Sequence, residues 1–206
     1  MILGTENWVQ WSEWNAVLER PFVPGIFLWT GIDYLGESTD WPDKANGCGM
    51  LDTAGFHKPG YWFFKTLWKE NEPQVFAATQ RLTESNYRMQ AGRVVENPDH
   101  PRDRMWLWPK LIPHWNYHAG EEVYVEIYSN CEEVELFLNA ASLGLQCVET
   151  CADRIMKWVV PFEPGSLKAV GRNRGKEIVF HLLHTAAAPA AVQLSVDRAE
   201  LKADGI

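Results

Sequence analysis

The sequence predicts two architectures in succession, an α/β segment followed by an all-β domain. In the first third of the chain, short apolar runs alternate with stretches that have the periodicity of amphipathic helices. After about residue 109, apolar and polar residues alternate with the two-residue period of strands, and turn residues recur at short spacing. The first pattern is typical of parallel β-α-β units and the second of a β-sandwich.

The α/β segment begins with an apolar run, residues 1–5, that stops at Glu6. A helix is expected over residues 12–20, because Ser12 is a suitable N-cap and apolar residues then recur on one face. Residues 25–32 are apolar without alternation, which is expected of a strand buried on both faces of a parallel sheet. The order β-α-β follows.

A long polar loop is predicted over residues 34–57, which are rich in glycine, aspartate and proline. Pro59 then stands at a favourable position to open a second helix, because a proline at the first helical position loses no intrahelical hydrogen bond. An aromatic face on this helix predicts that it packs against a core.

The remainder of the chain is expected to contain a linker, a β-sandwich and the start of another domain. Residues 73–108 are interpreted as a linker or crossing segment, and residues 109–185 as a sandwich of immunoglobulin-like size. Residues 186–206 read as the opening strand of a further, truncated domain. The predicted strands of the sandwich are 122–128, 133–138, 155–160, 166–170 and 177–183.

Composition excludes several classes of function. The net charge of −8 over 206 residues argues against nucleic acid as a partner, and no apolar stretch is long enough to span a membrane. We expect no metal and no cofactor: the four cysteines form no CxxC pair, and His114 and His118 have no third ligand nearby. We expect no signal peptide within this chain, so the compartment stays open.

Three stretches carry a resemblance to a known family. They are ILGTEN, the run PFVPGIFLWTGIDYLGE, and GMLDTAGFHKPGYWFFKTLW. In this order they resemble the end of the catalytic barrel of glycoside hydrolase family 2, the β-galactosidase type. Residues 113–144 resemble the β-sandwich that follows this barrel, and LSVDRAELKADGI resembles the opening of a further domain. One departure is the turn after Leu138, where the family usually has Asn-Gly and this chain has Asn139-Ala140-Ala141.

The resemblance implies that residues 1–72 are the last two units of a (β/α)₈ barrel, whose active site lies at the carboxyl ends of its strands. Glu6 matches the catalytic nucleophile, and Trp29, Asp33 and Tyr34 match residues that line the sugar pocket. In a retaining mechanism a second carboxyl group about 5 Å away protonates the leaving oxygen. The resemblance implies that this acid/base glutamate lies upstream of the chain, so the fragment alone is expected to be inactive.

Other residues of the predicted site have alternatives that the sequence leaves open. Glu37 is expected either to contact sugar or to order its loop, and Trp41 to be a sugar-stacking platform or a lid. The carboxylate of Asp33 is expected to meet either sugar hydroxyls or a backbone amide or arginine. Glu13 is a rival acid to Glu6, but its place in the first turn of a helix favours interaction with the helix dipole. Lys58 could reach the rim of the site, but as a lone lysine it is expected to face water.

Two hypotheses about function follow. The first is a retaining, β-galactosidase-like hydrolase of β-galactosides or related oligosaccharides, whose partners are its carbohydrate substrate and the remainder of its own polypeptide. For such a full-length bacterial-type enzyme, secretion or the periplasm is plausible. The second is a non-catalytic carbohydrate-binding or scaffold module, in which aromatic residues such as Trp106, Trp108 and Trp115 either bind glycan or join the two domains.

Overall fold

The computed structural model describes residues 1–38, 41–42, 44–100, 108, 110–200 and 202–203. Most of their ordered elements are strands, and both described α-helices lie in the N-terminal third. Neither helix is long and apolar enough to cross a membrane. The architecture is an α/β segment followed by a two-sheet β-sandwich.

The α/β segment starts with a parallel β-α-β unit. Strand β1 (Gly4–Asn7) pairs with β2 (Ile26–Leu28), and helix α1 (Trp11–Glu19) connects them. This element order confirms the sequence pattern, although both strands are shorter than predicted. The N-cap of α1 is Gln10, not the expected Ser12, and it makes no side-chain capping hydrogen bond.

The prediction that residues 25–32 form a strand buried on both faces is wrong for this chain. The strand covers only β2, and Phe27 in its centre is 61% exposed. Ile26 and Leu28, on the opposite face, are half-buried and pack against an apolar cluster, so only one face of β2 is covered.

A loop at residues 29–58 connects β2 to the second helix. It contains a short antiparallel pair, β3 (Tyr34–Leu35) and β4 (Ala45–Asn46). Helix α2 (Pro59–Trp68) begins with a proline, as predicted. Its fully buried side chains include Phe63 and Phe64.

Two antiparallel sheets form the β-sandwich that the sequence predicts. One sheet has the strand order β11-β8-β5 and the other β10-β9-β12-β13. The strands of this region, with the hairpin β6–β7, are β5 (Val75–Arg81), β6 (Tyr87–Gln90), β7 (Arg93–Glu96), β8 (Glu122–Ser129), β9 (Glu133–Leu138), β10 (Ala141–Cys147), β11 (Met156–Pro161), β12 (Ser166–Asn173) and β13 (Lys176–His184).

The sandwich core lies between the two sheets. Alternate residues of β8, namely Val123, Val125 and Ile127, face Val134 and Leu136 of β9 in one apolar cluster. All five side chains are completely buried. The two-residue period identified in the sequence therefore separates a core face from an opposite face in both strands.

The opposite face of the three-stranded sheet is covered by α2. Phe76 of β5 and Tyr124 and Tyr128 of β8 form a second apolar cluster with Phe63 and Phe64 of the helix. Because both faces of this sheet are buried, the α/β segment and the sandwich share an apolar interface, with α2 as the main contact.

The predicted linker at residues 73–108 differs from the structure. Strand β5 lies inside it and pairs with β8 over seven residues, from Val75 opposite Ser129 to Arg81 opposite Val123. Strand β5 has no alternation of apolar and polar residues because it is buried on both faces, so the pattern does not predict it. Residues 101–107 of the linker lie outside the described residues.

The turn after β9 keeps left-handed geometry without a glycine. Asn139 and Ala140 have φ angles of 48° and 69°. The Asn139 Oδ1 atom accepts a hydrogen bond from the Ser166 amide at 2.9 Å, and its Nδ2 donates to the Pro164 carbonyl at 3.0 Å. Asparagine tolerates this region of φ, and its two side-chain bonds fix the turn.

The predicted strand in residues 186–206 is absent from the part of it that is described. Residues 186–200 and 202–203 carry no helix or strand. The Ala186 amide donates a hydrogen bond to Asn116 Oδ1 at 2.6 Å, which attaches the start of this segment to the sandwich.

Candidate active site

The carboxyl ends of β1 and β2 form the centre of the candidate site. The sequence predicts Glu6 directly after its strand. In the structure it is the third residue of β1, and its side chain is exposed. The next residue, Asn7, pairs with Leu28, and its carbonyl accepts a hydrogen bond from the Trp29 amide at 3.0 Å. Because the strands are parallel, their carboxyl ends lie at the same edge of the sheet, and Glu6 and Trp29 are located there.

Three of the predicted site residues lie together after β2. The ring of Trp29 contacts that of Tyr34 edge to face, with centroids 6.2 Å apart. The Tyr34 hydroxyl donates a hydrogen bond of 2.5 Å to Glu37 Oε2, and this bond, assisted by burial, raises the pKa of Tyr34 to about 12. Trp29 remains 40% exposed. The cluster therefore offers an accessible indole beside an acceptor and a phenol.

Asp33 has protein partners for its carboxylate. Lys58 Nζ lies 2.9 Å from Oδ1 and 3.1 Å from Oδ2, and the Gly49 amide donates to Oδ1 at 2.7 Å. Lys58 also donates to the Gly47 carbonyl at 2.6 Å. The expectation that Lys58 faces water is therefore wrong. The expected partners of Asp33 are either sugar hydroxyls or a backbone amide or arginine, and the structure shows a backbone amide and a lysine.

This ion pair ties together the two ends of the loop at residues 29–58. A Cβ atom at Gly49 would lie 2.2 Å from the Asp33 amide nitrogen, so the close approach requires a glycine. The Lys58 amide donates to the Met50 carbonyl at 2.8 Å, and the Asp33 amide donates to the Leu51 carbonyl at 2.8 Å. These contacts connect residues near the start of the loop to residues near its end.

Trp41 is the remaining predicted sugar-contacting residue. It is 82% exposed, and Lys44 Nζ lies 5.2 Å from the centroid of its ring. An exposed indole with one face beside a cation keeps the other face available, as a stacking platform requires.

Glu13 has a role that the helix-dipole interpretation missed. It accepts hydrogen bonds from Asn7 Nδ2 and, at 3.2 Å, from Gln10 Nε2. A Cβ atom at Gly4 would lie 1.9 Å from Asn7 Oδ1, so the side chain of Asn7 folds back along β1 against Gly4. Glu13 therefore fixes the end of the strand that carries Glu6, and only a tertiary structure reveals this connection.

The aromatic residues at the entry to the sandwich are mostly internal. Trp115 is completely buried in the sandwich core, and its Nε1 donates to the Glu163 carbonyl at 3.0 Å. Trp108 Nε1 donates to the Tyr128 hydroxyl at 3.2 Å. The contacts of Trp108 with Tyr128 and with the ring of Phe63 in α2 favour the joining role over glycan binding. Trp115 is instead a core residue of the sandwich, and Trp106 lies outside the described residues.

No candidate metal site is found in the part of the chain that the structure describes, where no three histidine, cysteine or acidic residues converge. The four cysteines are free thiols. Burial raises the pKa of the Cys48 thiol beside the site, which keeps it protonated and unreactive. The chemistry of the candidate site therefore rests on carboxylates, a phenol and indoles.

Comparison with known proteins gives a context for this arrangement. Beta-galactosidase BoGH2A of Bacteroides ovatus is 32% identical over 195 residues, which cover 93% of this chain and 19% of that protein. A putative beta-glucuronidase of Formosa agariphila is 30% identical over 191 residues, covering 89% of this chain and 15% of that protein. A solved structure of a glycosyl hydrolase family 2 member from Bacteroides cellulosilyticus matches with a TM-score of 0.76 and 32% identity, covering 100% of this chain and 27% of that one.

The chain belongs to glycoside hydrolase family 2. It spans about a fifth or less of the length of these curated relatives. Within the family 2 match, residues 120–179 also match a family described as a domain of unknown function (DUF4982), a range that starts just before β8 and ends within β13. The similarity therefore includes both the segment with Glu6 and the β-sandwich.

Proposed function

We propose that this chain carries the nucleophile side of a retaining β-glycosidase site that acts on β-galactosides or related neutral oligosaccharides. Glu6 is the nucleophile, and Trp29, Tyr34, Glu37 and Trp41 contact the sugar. The observation that carries the proposal is the parallel β1–β2 pair, which aligns a carboxylate and an accessible indole at one edge. This arrangement is what the carboxyl end of a barrel provides.

We infer that residues 1–72 are the last two units of a (β/α)₈ barrel and that the immunoglobulin-like sandwich is a scaffold for them. The apolar interface of α2 with the three-stranded sheet supports this role. We place the start of the sandwich at Val75, because β5 belongs to its sheet.

In the proposed reaction, the Glu6 carboxylate attacks the anomeric carbon and a carboxyl group from another part of the polypeptide protonates the leaving oxygen. The covalent glycosyl-enzyme is then hydrolysed by water, which that second group activates as a base. The chain alone therefore has no activity. Glu13 acts through Asn7 to hold the strand that carries Glu6 in position.

The charges of the candidate site favour a neutral sugar over a uronide. A uronide brings a carboxylate that needs a cationic partner, but Lys58 is already engaged by Asp33 and by the Gly47 carbonyl. Glu6 and Glu37 add negative charge at the same edge. Asp33 acts mainly by ordering the loop, and its contact with sugar stays a prediction.

The test is Glu6→Gln in the complete polypeptide, assayed on a chromogenic β-galactoside. Loss of the nucleophile is expected to lower kcat by on the order of a thousandfold or more. Glu19→Gln is the matched control, because Glu19 is an exposed acid at the end of α1. Near wild-type activity in Glu6→Gln would reject the assignment and favour the binding or scaffold module. Faster turnover of the β-glucuronide than of the galactoside would reject the neutral-sugar part alone.

A further inference from the structure

A cavity of about 690 Å³ lies between the start of α1 and the β6–β7 hairpin, and its lining does not include Glu6 or the proposed sugar-contacting residues. We call it the junction cavity. The aromatic residues of its lining are Trp11, Tyr87 and Trp108, and its side-chain amides come from Gln10, Asn86, Gln90 and Asn97. Its volume is within the range of small-molecule sites.

The lining chemistry matches a neutral, hydroxyl-rich ligand. A side-chain amide offers both donors and acceptors, which is what a set of hydroxyl groups requires. The indole of Trp11 supplies flat apolar surface for the C–H face of a pyranose ring, next to the Arg154 guanidinium, which lies 5.1 Å from the ring centroid. The Tyr87 ring already stacks on Tyr124 and lies 5.4 Å from Lys157 Nζ, so it forms part of the wall and not a stacking surface. The cavity therefore combines the two contacts that carbohydrate recognition uses.

The buried acid at this cavity is already satisfied. Glu126 is 3% exposed and accepts hydrogen bonds from the Tyr124 hydroxyl at 2.7 Å and the Tyr128 hydroxyl at 2.5 Å. Tyr87 stacks on Tyr124 with ring centroids 4.9 Å apart, so the network also supports the hairpin. Glu126 thus builds this wall of the cavity and has both oxygens occupied.

Two other charged groups of the lining have internal partners. Asp153 accepts from Lys157 Nζ at 2.5 Å, and Arg88 lies 3.5 Å from Asp99. The remaining lining acid is Glu96, whose exposed carboxylate repels anions. An anionic ligand, such as an oligouronide or a phosphate, therefore finds negative charge and an engaged arginine.

The junction cavity is also close in sequence to the candidate nucleophile. Its lining residues Val9, Gln10 and Trp11 follow Glu6 by three to five positions, directly after the carboxyl end of β1. The opposite wall comes from the hairpin beside the sandwich. A ligand in this cavity would therefore contact both architectures at the edge of the sheet where the candidate site lies.

We propose that the junction cavity binds a neutral oligosaccharide segment, held by the amides of the β6–β7 hairpin and by the indole of Trp11. The class of ligand rests on the proposed function, whereas the cavity does not depend on Glu6. The hairpin thereby gives the sandwich a part in binding in addition to its scaffold role.

The test is a titration of the 206-residue chain with β-1,4-galactotetraose, followed by tryptophan fluorescence and by NMR shifts of backbone amides. Saturable binding with a Kd on the order of 1 mM is expected, with the largest shifts in residues 86–98. The matched anionic probe, tetragalacturonate, is expected to bind at least about fivefold more weakly. Equal or tighter binding of the anion would overturn the assignment of a neutral ligand.

Variants separate the cavity from the rest of the surface. The double change Asn86→Ala with Gln90→Ala is expected to weaken galactotetraose binding about fivefold or more, because two polar contacts are lost. Gln90→Trp fills the cavity and is expected to abolish the saturable shift. Arg93→Ala is the control, since Arg93 lies on the same hairpin but lines a different surface formed with β10 and β11.

The outcomes also distinguish this proposal from the catalytic one. Unchanged binding in the double variant, or equal loss in Arg93→Ala, would overturn the cavity proposal whatever the activity of the complete enzyme. Thermal melting of each variant excludes unfolding as the cause. The cavity result is read from the shifts of residues 86–98 and not from turnover, so a failed nucleophile assignment leaves it intact.

Discussion

The α/β segment and the β-sandwich differ most in how completely their strands are covered. Every residue of β8 from Val123 to Ser129 is buried, whereas no residue of β1 or β2 is. The sandwich has a core between its sheets and α2 on one outer face. Stability is therefore concentrated in the sandwich, and the candidate catalytic residues lie on strands that contribute little to it.

The largest expected effect therefore comes from the sandwich core. Trp115→Ala should lower the free energy of unfolding by about 3–5 kcal/mol, because it leaves a large cavity. Phe27→Ala, the matched change on the exposed centre of β2, should alter it by less than about 0.5 kcal/mol. Urea unfolding measures both. Similar losses in the two variants would show that β2 is covered as fully as the sandwich.

The same difference explains which elements the sequence predicts well. Strands β8 and β9 follow from alternation, because one face of β9 is buried and the other is partly exposed. Strand β5 was hidden within a predicted linker, since α2 covers the face that would otherwise be polar. The period of apolar and polar residues reflects which face of an element is exposed to solvent. A strand with both faces buried therefore has no such period.

The candidate site shows a similar limit. Motif order placed Glu6 and Trp29 at neighbouring strand ends, and the parallel pairing agrees with that placement. The pairing of Lys58 with Asp33, 25 residues apart, was not predicted because no local pattern links the two positions. Glu13 was likewise assigned to the helix dipole, although it binds Asn7.

Within the α/β segment, the Asp33–Lys58 pair should be the most sensitive point. Lys58→Met leaves a mostly buried carboxylate with one amide donor, and we expect local destabilisation of the loop by about 1–3 kcal/mol. Hydrogen exchange at the Gly49 and Asp33 amides measures it. Lys44→Met, at an exposed lysine of the same loop, is the control and should leave their exchange unchanged. Equal protection in both variants would mean that the loop is held by its backbone bonds alone.

The smallest expected effect concerns the pH dependence of the sandwich. His181 Nδ1 accepts a hydrogen bond from the Ala77 amide at 3.1 Å, which joins β13 to the edge of β5. The imidazole also lies against the ring of Phe76, with centroids 4.7 Å apart. Burial lowers the pKa of His181 below its usual value of about 6.5. The neutral ring is therefore the form that the fold requires.

The sign of the effect follows from this direction. Since the folded pKa is depressed, the unfolded chain binds the proton more readily, so the stabilisation by His181 is complete above about pH 6.5 and is lost as the pH falls through the folded pKa. His181→Gln keeps an acceptor but cannot be protonated in this range. The fall in the free energy of unfolding between about pH 7.5 and pH 5, measured with urea, should therefore become smaller by up to about 1 kcal/mol. Burial and the nearby Arg81 also lower the pKa of His114, so part of the pH dependence remains in this variant.

His184→Gln, at an exposed position of the same strand, is the control. An unchanged slope in His181→Gln together with a shallower one in His184→Gln would place the acid sensitivity at the exposed end of β13 instead of at the junction of the two sheets.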